Sequence, residues 1–302
     1  MNNFTLAIHG GSCWIAPAEI TPEREKIFYA ALDEALTTGF DLLVRGGTAL
    51  DAAQTAVMYL EDNPLFNAGR GSAFNYNQFH EMDAAIMCGQ RGRAGAVANV
   101  RNVRNPVALA RMVLDKTNNV LLTGQGAEAF GREHNLRFEE DAYFYTEERF
   151  QELQRTKRQA PACNTGKGTV GAVALDMFGN MAAATSTGGF PNKNYGRIGD
   201  SPIIGSGTYA NNRACAVSCT GDGEYFMQAV AAYDVYCLME YKGLSLREAC
   251  ELVVLDKINN AGGKGGMIAV DTQGNAALVF NCDVMFRASK DARGECQMGI
   301  LP

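Results

Sequence analysis

Two stretches of this chain repeat one device: an apolar run, five residues of the form Asp-x-x-Gly-Asn, and a second apolar run. In the first, Val170 to Leu175 leads into Asp176-Met177-Phe178-Gly179-Asn180 and returns from Met181 to Thr185. In the second, Ile268-Ala269-Val270 leads into Asp271-Thr272-Gln273-Gly274-Asn275 and returns from Ala276 to Phe280. An aspartate opening the turn with glycine three residues later fits a type I turn followed by a bulge, so both stretches are expected to be β-hairpins. Two helices are expected between them. One runs from about Glu224 to Tyr241, and the other starts at the capping box Ser245-Leu246-Arg247-Glu248.

The first half carries complementary signals. Thr5-Leu6-Ala7-Ile8-His9-Gly10 reads as a short buried strand. Thr21 caps a helix whose first turn holds Pro22 and whose apolar stripe is Ile27, Phe28, Ala31, Leu32, Ala35 and Leu36. A second helix begins at Thr48, with Asp51 three residues on, and a third at Asn105-Pro106, running through Leu114. Between the second and third lies a glycine-rich turn, Asn67-Ala68-Gly69-Arg70-Gly71-Ser72. Hairpins in both halves with helices grouped between them point to an α+β layered domain rather than a βαβ repeat.

Composition narrows the function. Hydrophobic residues make up 47% of the 302 and charged residues 20%, values of an ordinary globular chain. A net charge of −6 without a Lys/Arg stripe argues against a nucleic-acid partner. No apolar segment approaches a membrane span, and Met1 to Thr5 has no basic stretch followed by an apolar run. A cytoplasmic protein is expected, with its nine scattered cysteines as reduced thiols. Only three histidines are present, none at ligand spacing, which argues against zinc.

The region from about 150 to 168 breaks this pattern. Arg155 through Gly168 holds four basic residues, no acidic one and no apolar periodicity, so it reads as an exposed linker. Gly168-Thr169 joins that linker to an apolar strand. Taken alone, Thr169 is a β-favouring residue opening a strand. Its hydroxyl can also attack the carbonyl before it, which glycine leaves unobstructed. The ester so formed hydrolyses, and the freed α-amine, with a pKa near ~8, can serve as base for its own hydroxyl. Nearby, Arg197 and Asp200 lie three residues apart on a glycine-bounded loop, Gly196 to Pro202. They read either as a surface ion pair or as a clamp for a zwitterionic amino acid. Ser218-Cys219-Thr220-Gly221-Asp222-Gly223-Glu224 reads either as a helix cap or as donors for an oxyanion.

Taken in order, these tracts resemble the plant-type asparaginase / isoaspartyl peptidase family of Ntn-hydrolases. The tracts are Ile8-His9-Gly10-Gly11, Asn67-Ala68-Gly69, Gly168-Thr169-Val170-Gly171, Thr185-Ser186-Thr187-Gly188-Gly189, Gly196-Arg197 with Gly199-Asp200-Ser201-Pro202, Thr220-Gly221 with Gly223-Glu224, and Phe280-Asn281. The resemblance implies a single domain with a four-layer αββα sandwich, cut between Gly168 and Thr169 into an α subunit (1–168) and a β subunit (169–302). Thr169 would be nucleophile and base, Thr187 its hydrogen-bonding partner, and Thr220 with Gly221 the oxyanion donors. Arg197, Asp200 and Gly223 would bind the aspartyl α-groups, with Asn67 beside the site. The substrates implied are isoaspartyl dipeptides and asparagine, with no catalytic cofactor and with pairing of αβ units into a homodimer. A structural sodium ion is also implied, on the main-chain carbonyls of Leu60, Glu61, Asn63, Phe66, Ala68 and Arg70. The alternatives are a glycosylasparaginase-like amidase and an inactive relative that only binds.

Three positions depart from the family pattern. They are Ser12-Cys13-Trp14 after the glycine pair, Phe190-Pro191 after Gly189, and Val284 near the end. They bear on substrate range before reaction type.

Overall fold

The computed structural model describes residues 3–13, 15–158 and 168–302. Trp14 and part of the expected linker, 159–167, lie outside the described residues. The N-terminal portion runs β1 (Thr5–Ser12), α1 (Pro22–Val44), α2 (Ala49–Asp62), β2 (Met82–Cys88), β3 (Arg93–Val100), α3 (Pro106–Lys116), β4 (Leu121–Thr123), α4 (Gly124–Glu133), α5 (Asp141–Phe144) and α6 (Glu147–Arg158). From Val170 onward come β5 (Val170–Leu175), β6 (Met181–Thr187), β7 (Thr208–Asn211), β8 (Cys215–Gly221), α7 (Gly223–Ala229), α8 (Ala231–Lys242), α9 (Leu246–Glu251), β9 (Gly265–Asp271), β10 (Ala276–Phe280), β11 (Met285–Asp291) and β12 (Cys296–Gly299).

The strands form two sheets, in the orders β12-β11-β1-β5-β6-β2-β3-β4 and β10-β9-β8-β7. Period-2 alternation assigns the faces. In β5, Val170, Ala172 and Ala174 join α1, α2 and α3 in one apolar cluster, while Val173 and Leu175 face the second sheet. In β8, Cys215, Val217 and Cys219 pack on α7, α8 and the helix after it, while Ala216 faces the first sheet. The central strands are therefore covered on both sides, which is why β5, β6, β8 and β9 read as nearly unbroken apolar runs.

Both hairpins form as read: β5 pairs with β6, and β9 with β10. Gly179 and Gly274 take φ of +80° and +81°, the left-handed conformation the bulge requires. The structure shows a third copy: Asp291-Ala292-Arg293-Gly294-Glu295 joins β11 to β12, with Gly294 at φ +86°. Its last position is Glu rather than Asn, and its return strand is short and polar.

Three further expectations change. The linker does not begin near 150, because α6 continues to Arg158. Thr146 caps it by accepting from the Arg149 amide, acidic Glu147 and Glu148 open it, and Arg155, Lys157 and Arg158 close it. That charge order suits the helix dipole, and the buried Leu153 anchors it. The helix from Glu224 to Tyr241 is broken at Val230, which sits at φ +49°. The break lets the amides of Ala232 and Tyr233 donate to the carbonyls of Ser206 and Gly205, at 3.1 and 2.8 Å. The cysteines are not all free thiols: Cys13 and Cys282, with Cα atoms 6.0 Å apart, form a disulfide across 269 residues of sequence. β1 and β11 are adjacent strands, so the loops that leave β1 and enter β11 meet, and cysteine spacing carries no trace of that.

Asp176 does more than shape its own turn. Besides accepting from Phe178 and Asn180, its carboxylate accepts from the amide of Ala49 at the start of α2. Asp271 accepts from the amides of Gln273 and Asn275 and from Asn275 Nδ2, all within its own turn. Among the described residues, only the Asp176 carboxylate of the two joins its turn to a helix, and a hydrogen bond to a charged group is worth ~1.5–3 kcal/mol, so Asp176→Ala should cost about 1.5–3 kcal/mol more than Asp271→Ala. Urea unfolding of both variants in a Thr169→Ala chain, expected to remain one polypeptide, measures the difference.

Candidate active site

The layer between the sheets is apolar at one end, where Ala7, Val173, Ala183, Ala216, Ile268 and Val270 meet. Continuing each strand by steps of two changes its chemistry: β1 reaches His9, β5 reaches Gly171 and then Thr169, β6 reaches Thr185 and Thr187, and β8 reaches Ser218 and Thr220. The same faces thus become hydroxyl-rich where the strands end.

Thr169 is 6% exposed. Its hydroxyl donates to the Thr187 hydroxyl at 3.3 Å, and Thr187 in turn donates to the Gly168 carbonyl at 2.9 Å. The Gly189 amide fixes Thr187 from the other side at 3.0 Å. Asn67 Nδ2 donates to the same Gly168 carbonyl at 2.9 Å and to the Gly189 carbonyl, while its Oδ1 accepts from the Ala73 amide. The carbonyl preceding Thr169 is therefore held between two donors beside a buried hydroxyl. Gly188 makes this possible, because a Cβ there would lie 2.6 Å from Asn67 Oδ1.

Behind Thr169 runs a directional relay. The Thr208 hydroxyl donates to Thr185 at 2.6 Å, and Thr185 lies 2.7 Å from Ser218 Oγ, which lies 2.9 Å from His9 Nε2. His9 Nδ1 lies 2.9 Å from the Thr169 carbonyl. A carbonyl only accepts, so Nδ1 carries the proton and Nε2 accepts from Ser218. Burial pushes the His9 pKa down to about 3 despite the carbonyl, so the ring is neutral. Gly171 lets the ring cross the sheet, since a Cβ there would lie 2.1 Å from Ser218 Oγ and 2.4 Å from His9 Nε2.

Gly168, Thr169, Thr187, Arg197, Asp200, Gly221 and Gly223 line one pocket, together with Phe190 and Glu224. Arg197 is not paired with Asp200 as a surface ion pair. Its guanidinium makes a bidentate contact with Glu224, at 2.9 and 2.8 Å, and lies over the Phe190 ring, 4.5 Å from the centroid. Asp200 is 3% exposed, and burial raises its carboxyl to about 6, opposed by the nearby Arg197. Its Oδ2 has no hydrogen-bond partner among the described residues. Gly223 keeps the carboxylate and guanidinium close, as a Cβ there would lie 2.8 Å from Asp200 Oδ1 and 3.0 Å from Arg197 Nη2. Thr220 is fully buried behind the pocket, where the Ser12 hydroxyl reaches its carbonyl and hydroxyl at 3.3 and 3.5 Å. Gly221 sits at φ +139° against the Lys264 carbonyl.

A buried carboxylate with an open oxygen, a forked cation and a hydroxyl beside a polarised carbonyl together suit an amino-acid amide. A family model described as asparaginase matches residues 2–300. The chain belongs to the asparaginase family. The isoaspartyl peptidase of Salmonella typhimurium is 48% identical, with 95% of each chain covered. The isoaspartyl peptidase of Escherichia coli is 47% identical, covering 95% of this chain and 93% of its own. A probable isoaspartyl peptidase/L-asparaginase of Arabidopsis thaliana is 37% identical over 99% of each. In this family member no helix among the described residues is long and apolar enough to cross a membrane.

Sequence reasoning missed Glu224 as the partner of Arg197, and missed the relay through His9, Thr185, Thr208 and Ser218. Glu224 sits at a helix start, where an acidic residue needs no further reason. The relay members are ordinary strand residues until four strands bring them together.

The neutral His9 gives a signed expectation. Its folded pKa lies below the unfolded value, so its contribution to stability is complete above about pH 6.5 and declines as pH falls from there toward 3. The stability gap between the Thr169→Ala chain and the same chain with His9→Gln should therefore shrink by about 2 kcal/mol from pH 6.5 to 5. Paired urea titrations at the two pH values check this, and His80, buried in both proteins, cancels from the difference.

Proposed function

We propose that this protein cuts its own chain between Gly168 and Thr169 and then hydrolyses β-aspartyl amides, releasing aspartate from isoaspartyl dipeptides and from asparagine. The observation that carries this reading is the Gly168 carbonyl held by Thr187 and Asn67 beside the Thr169 hydroxyl, with Arg197 and Asp200 in the same pocket. The relatives' names, isoaspartyl peptidase and isoaspartyl peptidase/L-asparaginase, support it.

In the first stage Thr169 Oγ attacks the Gly168 carbon, its proton passes to the departing amide nitrogen, and an ester forms. Asn67 and Thr187 stabilise the charge on the carbonyl oxygen. Water hydrolyses the ester, leaving a Gly168 carboxylate and a free Thr169 amine. In the second stage that amine accepts the proton from Thr169 Oγ, which attacks the side-chain carbonyl of the substrate, and passes it to the departing amine nitrogen; water then hydrolyses the aspartyl ester on Thr169, releasing aspartate and restoring the hydroxyl. Donors at Thr220 and Gly221 meet the developing oxyanion. The α-carboxylate takes the guanidinium fork now held by Glu224, and the α-ammonium meets the open oxygen of Asp200. Asp200 loses that capacity as pH falls below about 6, where its carboxyl is protonated.

The three apolar clusters support the finer reading of the fold as a four-layer αββα sandwich of the Ntn-hydrolase type. The loop after α2 suits a structural sodium ion. A Cβ at Gly71 would lie 2.1 Å from the Phe66 carbonyl oxygen and 2.6 Å from that of Pro64, and one at Gly69 would lie 2.3 Å from that of Glu61. The two glycines thus let the loop's main-chain carbonyls pack closely, and those of Leu60, Glu61, Asn63, Phe66, Ala68 and Arg70 would hold the ion. The ion would steady the loop that presents Asn67.

Self-cleavage should convert the chain into fragments 1–168 and 169–302, visible by intact mass. Thr169→Ala should stay whole, and Asn67→Ala should process at least tenfold more slowly, having lost one carbonyl donor. Active wild-type protein that shows only the full-length mass would refute the scheme.

Substrate choice gives the second expectation. β-Asp-Leu should turn over and Asp-Leu should not, because an α-linked dipeptide has no free α-carboxylate for Arg197. An unpaired desolvated charge costs ~2–5 kcal/mol, enough to suppress turnover well over tenfold. Arg197→Ala, with activity normalised to the cleaved fraction, should lose roughly 10- to 100-fold in kcat/KM on β-Asp-Leu. Lysine should rescue it only partly. Asparagine and a glycosylated asparagine complete the panel, and preference for the latter would favour a glycosylasparaginase-like amidase.

A further inference from the structure

We propose that Cys13 and Cys282 form an exchangeable disulfide that joins the two fragments of the mature protein and clamps the oxyanion donors between them. This rests on the self-cleavage reading, because Cys13 lies before Gly168 and Cys282 after it. Cleavage at 168/169 then leaves one covalent unit instead of two chains held by strand pairing.

Both arms of the bond lead to the same place. Next to Cys13, Ser12 reaches the carbonyl and hydroxyl of Thr220. Next to Cys282, Asn281 accepts from the Gly265 amide at 2.8 Å and donates to the Gly263 carbonyl at 2.9 Å. Gly265 pairs with Gly221 across β8 and β9, and Gly221 packs on the Lys264 carbonyl. Thr220 is thus braced by the arm before the cut, and Gly221 by the arm after it. The Cys13 amide donates to the Val284 carbonyl at 3.0 Å, which fixes the two loops side by side. Cys13 adopts φ +60°, an uncommon conformation for a residue with a side chain. Both cysteines are half-buried and line an open surface pocket with Lys264, Pro17 and Glu19, so small thiols and disulfides reach the bond. Of the six described free cysteines, Cys88, Cys215, Cys219 and Cys250 are buried, and burial raises the thiols of Cys215, Cys219 and Cys250, whereas Cys237 is half-buried and Cys296 exposed.

The oxidant is a low-molecular-weight disulfide such as oxidised glutathione. The thiolate of one cysteine attacks a glutathione sulfur and expels one glutathione thiolate. The second cysteine's thiolate attacks the mixed disulfide and expels the other. Two protein thiols become one disulfide, and the two protons end on two glutathione molecules.

The test is denaturing electrophoresis of alkylated mature protein, with and without reductant. The expected result is one full-length-sized band without reductant and fragments 1–168 and 169–302 with it. Cys282→Ser should give two fragments in both lanes. Separate fragments from oxidised wild-type protein would overturn the tether. A single band even with reductant would instead mean that self-cleavage had failed. Peptide mapping then decides the bond on the intact chain: Cys13 and Cys282 should resist alkylation until reduced, and their free alkylation overturns the bond. The clamp is read kinetically. Reduction should lower kcat of the wild type about two- to fivefold, reversibly with oxidised glutathione, and leave Cys282→Ser unaffected. Unchanged wild-type kcat on reduction would overturn the clamp.

Discussion

The site depends on the two-residue period of strands buried on both faces. Each of β1, β5, β6 and β8 sends alternate residues into the space between the sheets, and those residues are apolar until the strands near one end. There the same register delivers His9, Thr169, Thr185, Thr187, Ser218 and Thr220 to one neighbourhood. A one-residue slip of β5 or β8 would turn Thr169 or Ser218 into a helix-facing core and bring Val170, Val217 or Cys219 into the site. The opposite face shows what such a position demands. Ser186, between Thr185 and Thr187, points at α2 and donates to the buried Glu61, whose carboxyl burial raises to about 8.

Glycine performs the complementary task of letting polar groups approach. Gly171 clears the crossing of His9 and Ser218, Gly188 admits the Asn67 amide, and Gly223 admits the Asp200–Arg197 pair. Each contact is closer than a β-carbon would permit. The relay they enclose is neutral, since the His9 ring is uncharged and its partners are hydroxyls and a carbonyl. The pocket, by contrast, carries charged side chains, Arg197, Asp200, Asp222 and Glu224. A zwitterion entering such a pocket exchanges hydration for fixed, opposite charges without disturbing the layer beneath.

The order of strands bears on how a cut chain would persist. β1 lies between β11 and β5, and β6 pairs with β2, so strands from before and after Gly168 interleave within one sheet. Hydrogen-bonded ladders, together with the Cys13–Cys282 bond, unite the two portions independently of the peptide link at Gly168. The loop from Asp200 to Ser206 is likewise held from outside its own sequence, by the first amides of α8. That accounts for the strained Val230 at the helix break.

The sequence by itself determined what is local. The Asp-x-x-Gly-Asn turns, the capped helices at Thr21, Thr48 and Ser245, and the Gly168-Thr169 junction each rest on neighbours within a few residues, where backbone preference acts. Tertiary structure alone decided what joins distant positions. It paired Arg197 with Glu224, linked His9 to Ser218 and Thr169, and bonded Cys13 to Cys282. It also broke a helix at Val230 and carried α6 to Arg158 through a stretch that looked shapeless. None of these leaves a periodic trace, because each is set by which strands and loops become neighbours, and that is fixed only when the whole apolar core closes.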